Sequence, residues 1–309
     1  MGYFHFYALS IHTLLLIRYN NYMKSQPLKP LIVILGPTGS GKSSMAEQLA
    51  EEFEGELVSA DSRQIYKGMD IGTNKSEAHL TDLINPGEDF SVAQYKELAI
   101  KTIEEIHDRS NIPILIGGTG LYIQAVVDNL FIPEVKAHPA LRAKLTKSTP
   151  DELFQKLKAL DPEEARTIQK DNKRRLIRAI EVCLAGHKFS DRNKGKPLFD
   201  ILQIGIETNR GELYQKIDKR VEAMFQAGLE EEVASLPDNL PDTIGYEEFK
   251  LKLGTRKTIS LIQKHTRRYA RRQIGWFKRD ERINWIKNYK QAKKLTKDFL
   301  SKYVQQPLD

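Results

Sequence analysis

Cysteine is almost absent from this chain, which has only Cys183 among its 309 residues. A single cysteine cannot form an internal disulfide, and no Cys/His cluster has the spacing of a zinc site, so a disulfide scaffold and a zinc finger are excluded. A lone thiol is compatible with a reducing compartment. We therefore expect a cytoplasmic protein in which Cys183 is a buried structural thiol rather than a nucleophile.

A long hydrophobic run is also lacking. Residues 1–17 are aromatic and apolar, but polar side chains interrupt them, and they are shorter than the roughly 20 apolar residues that a membrane-spanning helix needs. The charged start and the cleavage site of a signal peptide are missing as well. We expect residues 1–29 to be a dispensable N-terminal extension with Met23 as the working start, in preference to a membrane anchor, and we expect no membrane partner.

Acidic residues are scarce in one part of the chain. The overall net charge is only +7, yet residues 255–290 contain 12 Lys and Arg against two acids. Hydrophobic residues make up 40% of the chain, which is ample for a globular core. The uneven charge favours a polyanionic partner larger than a nucleotide.

One motif is specific enough to indicate a kind of binding site. Residues 36–43 fit the pattern G-x-x-x-x-G-K-[ST] of a phosphate-binding P-loop, between a predicted strand at 31–35 and a predicted helix at 43–53. Glycines let backbone N–H groups turn towards an anion, and the start of the helix adds partial positive charge. The proposed phosphate-binding residues are Gly36, Pro37, Thr38, Gly39, Ser40, Gly41, Lys42 and Ser43, with the Ser43 hydroxyl as the ligand for Mg²⁺. The motif indicates a ligand with two or more phosphates, without saying that it is ATP or another nucleotide.

Apolar runs alternate with helical patterns around this motif, which is typical of an α/β fold with a parallel sheet. Further strands are predicted at 56–60, 112–116 and 199–206, and one long amphipathic helix at 214–233. Ser91 and Gln94 have the spacing of a capping box. We expect a P-loop NTPase-like parallel sheet core.

The segment 132–196 has a different character. It is charged and helical in pattern, and prolines divide it into pieces. We expect it to be a helical insertion domain between two parts of the core, 30–131 and 197–309.

Two candidate residues follow strands. Asp61 comes directly after the second predicted strand, and Thr119 lies in a glycine-flanked turn after the third. Carboxyl ends of parallel strands share one edge of the sheet, so Asp61, Thr119 and the P-loop should converge on one crevice. Asp61 could bind Mg²⁺ as in a kinase, accept a proton from a nucleophile, or simply cap a helix. The third strand ends in Gly-Gly-Thr rather than in a second acid, which fits a kinase poorly.

Basic residues occur in two patterns. Within 266–279, Lys and Arg alternate with Tyr, Trp and Phe, a mixture that suits phosphate contacts and base stacking. Arg174 or Arg175 should share a helix face with Arg178. Either pattern, like Arg220 within its helix, could equally be a solvated surface.

Taken together, these residues resemble the tRNA dimethylallyltransferases, also called tRNA isopentenyltransferases. The match runs from about residue 30 to residue 289. Its motifs, in order, are the P-loop, Ser59–Tyr66, Met69–Thr73, His79–Asp82, Phe90–Ala93, Gly117–Tyr122, Arg175–Val182, Ile244–Tyr246 and Thr266–Lys278.

The resemblance implies that the P-loop holds the diphosphate of dimethylallyl diphosphate. The dimethylallyl group would pass to N6 of the adenosine at position 37, just 3′ of the anticodon, and diphosphate would leave. The implied catalytic residues are Asp61 as base with Thr38, Lys42 and Arg220, and Mg²⁺ is the implied cofactor. The implied partner is the tRNA anticodon stem-loop, without an obligate protein partner and with a monomer as the default.

The resemblance also implies a set of tRNA contacts: Asp61, Ser62, Arg63, Gln64, Thr119, Arg142, Arg174, Arg175, Arg178, Arg271, Arg272, Gln273, Trp276 and Lys278. Family members often have a basic residue where this chain has Glu247.

Three other functions remain open from the sequence. One is an adenylate isopentenyltransferase that prenylates free adenine nucleotides, one is a P-loop small-molecule kinase, and one is a non-catalytic RNA-binding protein with the same fold. The insertion and the basic stretch at 266–278 favour RNA as the substrate.

Overall fold

The computed structural model describes residues 28–191 and 194–304. Residues 1–27, where most of the expected N-terminal extension falls, lie outside the described residues. Within the described parts of the chain, no helix is both long and apolar enough to cross a membrane.

A five-stranded parallel sheet forms the centre of the molecule. Its strands are β1 (Pro30–Leu35), β2 (Gly55–Ala60), β3 (Ile112–Gly117), β4 (Asp200–Ile206) and β5 (Asn284–Ile286), in the order β2-β3-β1-β4-β5. The α/β core that the sequence predicts is confirmed. The short strand β5 was not predicted, because three residues are too few to show a pattern.

Helices cover both faces of the sheet. On one face, Leu31 and Val33 of β1 pack with α2 (Val92–Asp108) and α3 (Gly120–Val127). On the other, Ile32 and Ile34 pack with α1 (Lys42–Glu52) and the C-terminal helix Tyr289–Val304. Successive side chains of a strand point to opposite faces, so an unbroken apolar run marks a strand that is buried on both. The predicted capping box of Ser91 and Gln94 is present at the start of α2.

The described part of the segment between α3 and β4 contains four α-helices with an apolar cluster of their own. They are α4 (Pro139–Thr146), α5 (Pro150–Leu160), α6 (Pro162–Thr167) and α7 (Lys173–Leu184). Proline opens three of them, where its missing N–H costs no helical hydrogen bond. Leu153, Leu157, Leu176 and Ile180 are buried among these helices.

The two ends of this segment lie side by side. Leu130 and Lys194 form an antiparallel bridge, and Gly195 N–H donates to the carbonyls of Asp128 and Asn129. The Lys194 ammonium lies 3.2 Å from the buried Asp128 carboxylate. We name these contacts the stem of the segment.

One predicted helix is two helices in the structure. Instead of a single helix over 214–233, α8 (Arg210–Gln226) is followed by α9 (Leu229–Ser235). Gly228 separates them with a φ of +99°, a left-handed conformation that glycine adopts without a steric penalty. The long basic helix α10 (Thr255–Phe277) packs against α8, and the C-terminal helix is α11.

A buried carboxylate joins α4 to α7. The Glu181 oxygens accept hydrogen bonds from Arg142 (3.0 and 2.8 Å), from Arg178 (2.7 Å) and from the backbone N–H of His138 (2.6 Å). Burial alone would raise the pKa of Glu181, but these donors outweigh it and lower the pKa to about 2. The ionised carboxylate therefore stabilises the inserted helices.

We predict that Glu181→Gln destabilises the protein by about 1–3 kcal/mol, because two partly buried guanidinium groups lose their counter-charge. A folded-state pKa below the unfolded value gives stability that is present above the unfolded pKa and is lost as the pH falls through the folded pKa. The difference between wild type and variant in urea denaturation should accordingly be largest near neutral pH and shrink below about pH 4. Glu163→Gln on the exposed surface of α6 is the control; equal midpoints for both variants would contradict the assignment.

Candidate active site

The P-loop lies between the end of β1 and the start of α1. Gly39 and Gly41 have φ values of +80° and +89°, which explains the need for glycine in this turn. The Ser40 hydroxyl is buried and has no hydrogen-bond partner among the described residues. A glycine-rich turn that leads into the start of a helix is suited to bind an anion.

The Gln273 side chain ties this loop to two other elements. Its Oε1 accepts from the Thr38 N–H at 2.8 Å, and its Nε2 donates to the Gly118 carbonyl at 2.9 Å. Gln273 belongs to α10 and is only 5% exposed. One amide thus joins the P-loop, the turn after β3 and the basic helix.

Two cations lie at the loop. Burial lowers the pKa of Lys42 to about 8, with the nearby Asp61 carboxylate opposing the shift and Arg220 adding to it. Arg220, on α8, donates from Nη1 to the Thr38 hydroxyl at 2.7 Å. Burial also lowers the pKa of Arg220, and Asp61 raises it. Such partly desolvated cations bind a multiply charged anion strongly.

Asp61 lies at the carboxyl end of β2 and lines one cavity with Lys42 and Arg220. Its Oδ1 accepts from the Arg63 N–H at 2.9 Å. Beside it, the Thr119 hydroxyl accepts from the Ser62 N–H at 3.0 Å. Tyr269 hydrogen-bonds to Thr119, and its pKa is raised to about 12, mainly by burial and then by the Asp61 charge. The phenol is therefore neutral near pH 7 and available as a hydrogen-bond donor.

A cavity of about 370 Å³ lies between the P-loop and Asp61. Its lining includes Thr38, Lys42, Ser43, Asp61 and Arg220. The sequence predicted that Asp61, Thr119 and the P-loop converge on one crevice; Asp61 and the P-loop do so, whereas Thr119 does not line the cavity and is hydrogen-bonded to the Ser62 N–H.

Two further segments and α10 also contribute to the cavity wall. Thr73, Asn74 and Ser76 form one segment, and residues 242–244 with Glu247 form the other. We call these two segments the outer wall. Glu248, next to Glu247, accepts from the Gly245 N–H at 2.8 Å and lies 2.7 Å from His265 Nδ1.

The other residues in the sequence prediction fall into groups. Ser62, Arg63, Gln64, Arg272 and Gln273 line the same cavity. Gln64 is buried, with Oε1 accepting from the Ser59 hydroxyl and Nε2 donating to the Asn74 carbonyl.

A second cleft of about 350 Å³ brings Arg175 of the inserted helices to Trp276 of α10. Arg175 also forms an ion pair with Glu164 at 3.3 Å, and Arg174 is exposed on the same helix. Arg142 and Arg178 are held by Glu181. Arg271 and Lys278 line a third cavity together with Arg210 and Tyr214. The predicted RNA contacts thus lie in the central cavity, in two other clefts and at Glu181, rather than in one contiguous cluster.

The predicted site residues did not include two groups that line the cavity. Thr266 and Tyr269 line it from α10, and Thr73, Asn74 and Ser76 line it from a loop. The helical spacing of Thr266, Tyr269 and Gln273, which places them on one face, could have revealed the first two. Nothing in the local sequence of the loop indicates that it folds over the P-loop crevice.

Comparison with known proteins gives consistent matches. Residues 64–280 match the family model described as IPP transferase. The tRNA dimethylallyltransferase of Halothermothrix orenii is 40% identical over 87% of this chain and 93% of its own length. That of Finegoldia magna is also 40% identical, over 84% of this chain and 91% of its own.

Solved structures similar to this chain have the same kind of name as these relatives. The tRNA isopentenylpyrophosphate transferase of Bacillus halodurans is 32% identical with a TM-score of 0.63, over 88% of this chain and 96% of that one. A eukaryotic dimethylallyltransferase acting on tRNA is 27% identical with a TM-score of 0.73, over 89% of this chain and 80% of that one.

We predict that Gln273→Met destabilises the protein by about 2–4 kcal/mol, because the Thr38 N–H and the Gly118 carbonyl both lose a buried partner. The thermal unfolding midpoint should fall accordingly. Gln263→Met, on the same helix but at a more exposed hydrogen bond, is the matched control and should change the midpoint little. A Gln273→Met midpoint equal to that of the control would show that the bridge contributes nothing.

Proposed function

The chain belongs to the IPP transferase family, and from this premise we propose that it is a tRNA dimethylallyltransferase. It transfers the dimethylallyl group of dimethylallyl diphosphate to N6 of the adenosine at position 37 of tRNAs and releases diphosphate. The observation that carries this proposal is the position of Asp61 across one cavity from a P-loop with two partly desolvated cations.

The P-loop side of the cavity binds the donor. Thr38, Lys42 and Ser43 of the loop line the cavity and contact the diphosphate, and Lys42 and Arg220 stabilise the negative charge that grows on the leaving oxygen as the carbon–oxygen bond breaks. The hydrogen bond between Arg220 and Thr38 fixes the guanidinium before substrate arrives. Preorganised charge of this kind stabilises the transition state more than the ground state.

The donor atoms at this site suit Mg²⁺. Ser43 offers a hydroxyl oxygen at the cavity, and Mg²⁺ prefers hard oxygen ligands and usually binds through few protein groups together with substrate phosphates. An ion held there would neutralise part of the diphosphate charge. The Ser43 hydroxyl is the protein ligand that we propose.

Asp61 acts on the acceptor. An adenine amino group is a weak nucleophile, and as its nitrogen bonds to the prenyl carbon a proton must leave. Asp61 accepts this proton, with its Oδ1 held by the Arg63 N–H. The Thr119 hydroxyl, which is hydrogen-bonded to Tyr269, holds the backbone N–H of Ser62, the residue next to Asp61.

The adenosine reaches this cavity only after leaving its stack in the anticodon loop, at a cost of about a few kcal/mol. The exposed cations of α10 and Arg174 of α7 bind the RNA backbone and offset this cost. We propose that the inserted helices, within residues 132–196, contact the anticodon stem-loop. The cleft that contains both Arg175 and Trp276 supports this placement.

We expect the purified protein to convert an anticodon stem-loop with adenosine at position 37 to the N6-dimethylallyl product, detected by mass spectrometry of the nucleosides. Asp61→Asn should retain binding of the stem-loop and lower kcat by about 10²–10⁴-fold, since the proton acceptor is lost. Asp108→Asn, at an exposed position of α2, is the control.

Each alternative function has its own signature in this assay. Prenylation of AMP without prenylation of the stem-loop identifies an adenylate isopentenyltransferase. Phosphate transfer from ATP with no affinity for dimethylallyl diphosphate identifies a kinase, and stem-loop binding without turnover by wild type identifies a non-catalytic RNA-binding protein. Unchanged turnover in Asp61→Asn would refute the assigned base.

The lowered pKa of Lys42 gives a pH prediction. The ammonium is charged below its pKa of about 8 and neutral above it, so kcat/KM for dimethylallyl diphosphate should fall as the pH rises through about 8. This parameter reports groups of the free enzyme. Lys42→Arg, whose guanidinium stays charged, should give a lower but flat profile over the same range. An alkaline decline of the same shape in both enzymes would assign it to another group.

A further inference from the structure

A single carboxylate on α9 accepts four hydrogen bonds, three from the loop 70–72 and one from Tyr246. Glu232 Oε2 accepts from the N–H groups of Asp70 (3.0 Å) and Ile71 (2.7 Å). Its Oε1 accepts from the N–H of Gly72 (3.1 Å) and from the Tyr246 hydroxyl (2.6 Å). Three successive backbone N–H groups directed at one anion form a rigid binding arrangement.

Both segments held by Glu232 continue into the outer wall of the cavity. Gly72 is followed directly by Thr73 and Asn74, and Tyr246 lies between Ile244 and Glu247. Neither Glu232 nor Tyr246 lines the cavity itself. The Glu232 carboxylate therefore holds the outer wall without contacting the cavity.

The two segments are also packed tightly against each other. Tyr246 is 1% exposed, and a Cβ added to Gly72 would lie 2.4 Å from its ring. Burial, and then the hydrogen bond to Glu232, raise the pKa of Tyr246 well above its usual value, so the hydroxyl remains a donor. Interiors packed this closely transmit a displacement rather than absorb it.

Two further hydrogen bonds connect the loop 70–74 to the sheet. The Asn74 carbonyl accepts from Gln64 Nε2 at 3.0 Å, and Gln64 Oε1 accepts from the Ser59 hydroxyl of β2 at 2.9 Å. Ser59 is two residues before Asp61. The loop 70–74 is thus fixed at one end by Glu232 and at the other by the strand that positions Asp61.

We propose that Glu232 is a positioning residue for the acceptor side of the reaction: through the N–H groups of residues 70–72 and through Tyr246, it holds the outer wall at the distance from Asp61 that the acceptor adenine requires. The inference rests on the proposed function. The diphosphate occupies the P-loop side, so the outer wall is the surface left for the acceptor. A small misplacement of this wall costs rate because the reacting atoms must be aligned.

Glu232→Gln is the informative change. Whichever way the new amide lies, its NH₂ group faces at least one backbone N–H, two donors that repel each other. We expect kcat/KM for the stem-loop to fall by about tenfold or more, since alignment in the transition state is lost. The KM for dimethylallyl diphosphate should stay within about twofold, because the P-loop is untouched.

Two further variants make the test specific. Glu231→Gln removes the same charge from an exposed position of the same helix and should behave as wild type. Tyr246→Phe removes one of the four hydrogen bonds and should give a smaller loss of the same kind. Binding of unreactive dimethylallyl thiodiphosphate, measured by calorimetry, shows in each case whether the donor site is folded.

The outcomes separate the inference from the proposed function. If wild type modifies the stem-loop and Glu232→Gln does so with the same kcat/KM, the positioning role is refuted while the function stands. A variant that loses donor binding as well would show a general structural role and also refute it. If wild type does not modify the stem-loop, the proposed function fails.

Discussion

The site depends on one buried amide. Gln273 pairs with the Thr38 N–H through its oxygen and with the Gly118 carbonyl through its nitrogen, so both ends of the group are committed. Gln273 is 235 residues from Thr38 and 155 residues from Gly118 in sequence. This amide is the direct side-chain link between the anion site and the basic helix, and the packing of α10 on α8, which carries Arg220, supports the same placement.

Charges of opposite sign face each other in the cavity. Lys42 and Arg220 lie at the P-loop, and Asp61 faces them from the end of β2. A fixed carboxylate limits the repulsion between two desolvated cations before any anion is present. The same carboxylate is then available to the second substrate. Asp61 thus has two roles: it balances the charges of Lys42 and Arg220, and it accepts the proton in the reaction that we propose.

Prediction from sequence succeeded where the signal is local. The P-loop, the strands at 31–35 and 112–116, and the Asp61 position could be identified because apolar runs, glycine spacing and strand ends are short-range patterns. Strand β5 and the break at Gly228 could not, since one is too short and the other looks like an ordinary glycine in a helix. The outer wall was inaccessible for a different reason: its placement depends on Glu232 reaching a loop 160 residues earlier in the chain.

The stem of the inserted segment has a consequence for how the chain can vary. Because Leu130 and Lys194 are paired, the segment leaves the core and returns at one point, as a long loop does. The entropy of closing such a loop grows only slowly with its length. Helices α4–α7 also have their own apolar cluster, so whole helices could be gained, lost or exchanged there while the connectivity of the sheet stays the same. The inserted segment is thus modular, and under the proposed function its contacts with tRNA can change while the residues of the cavity stay the same.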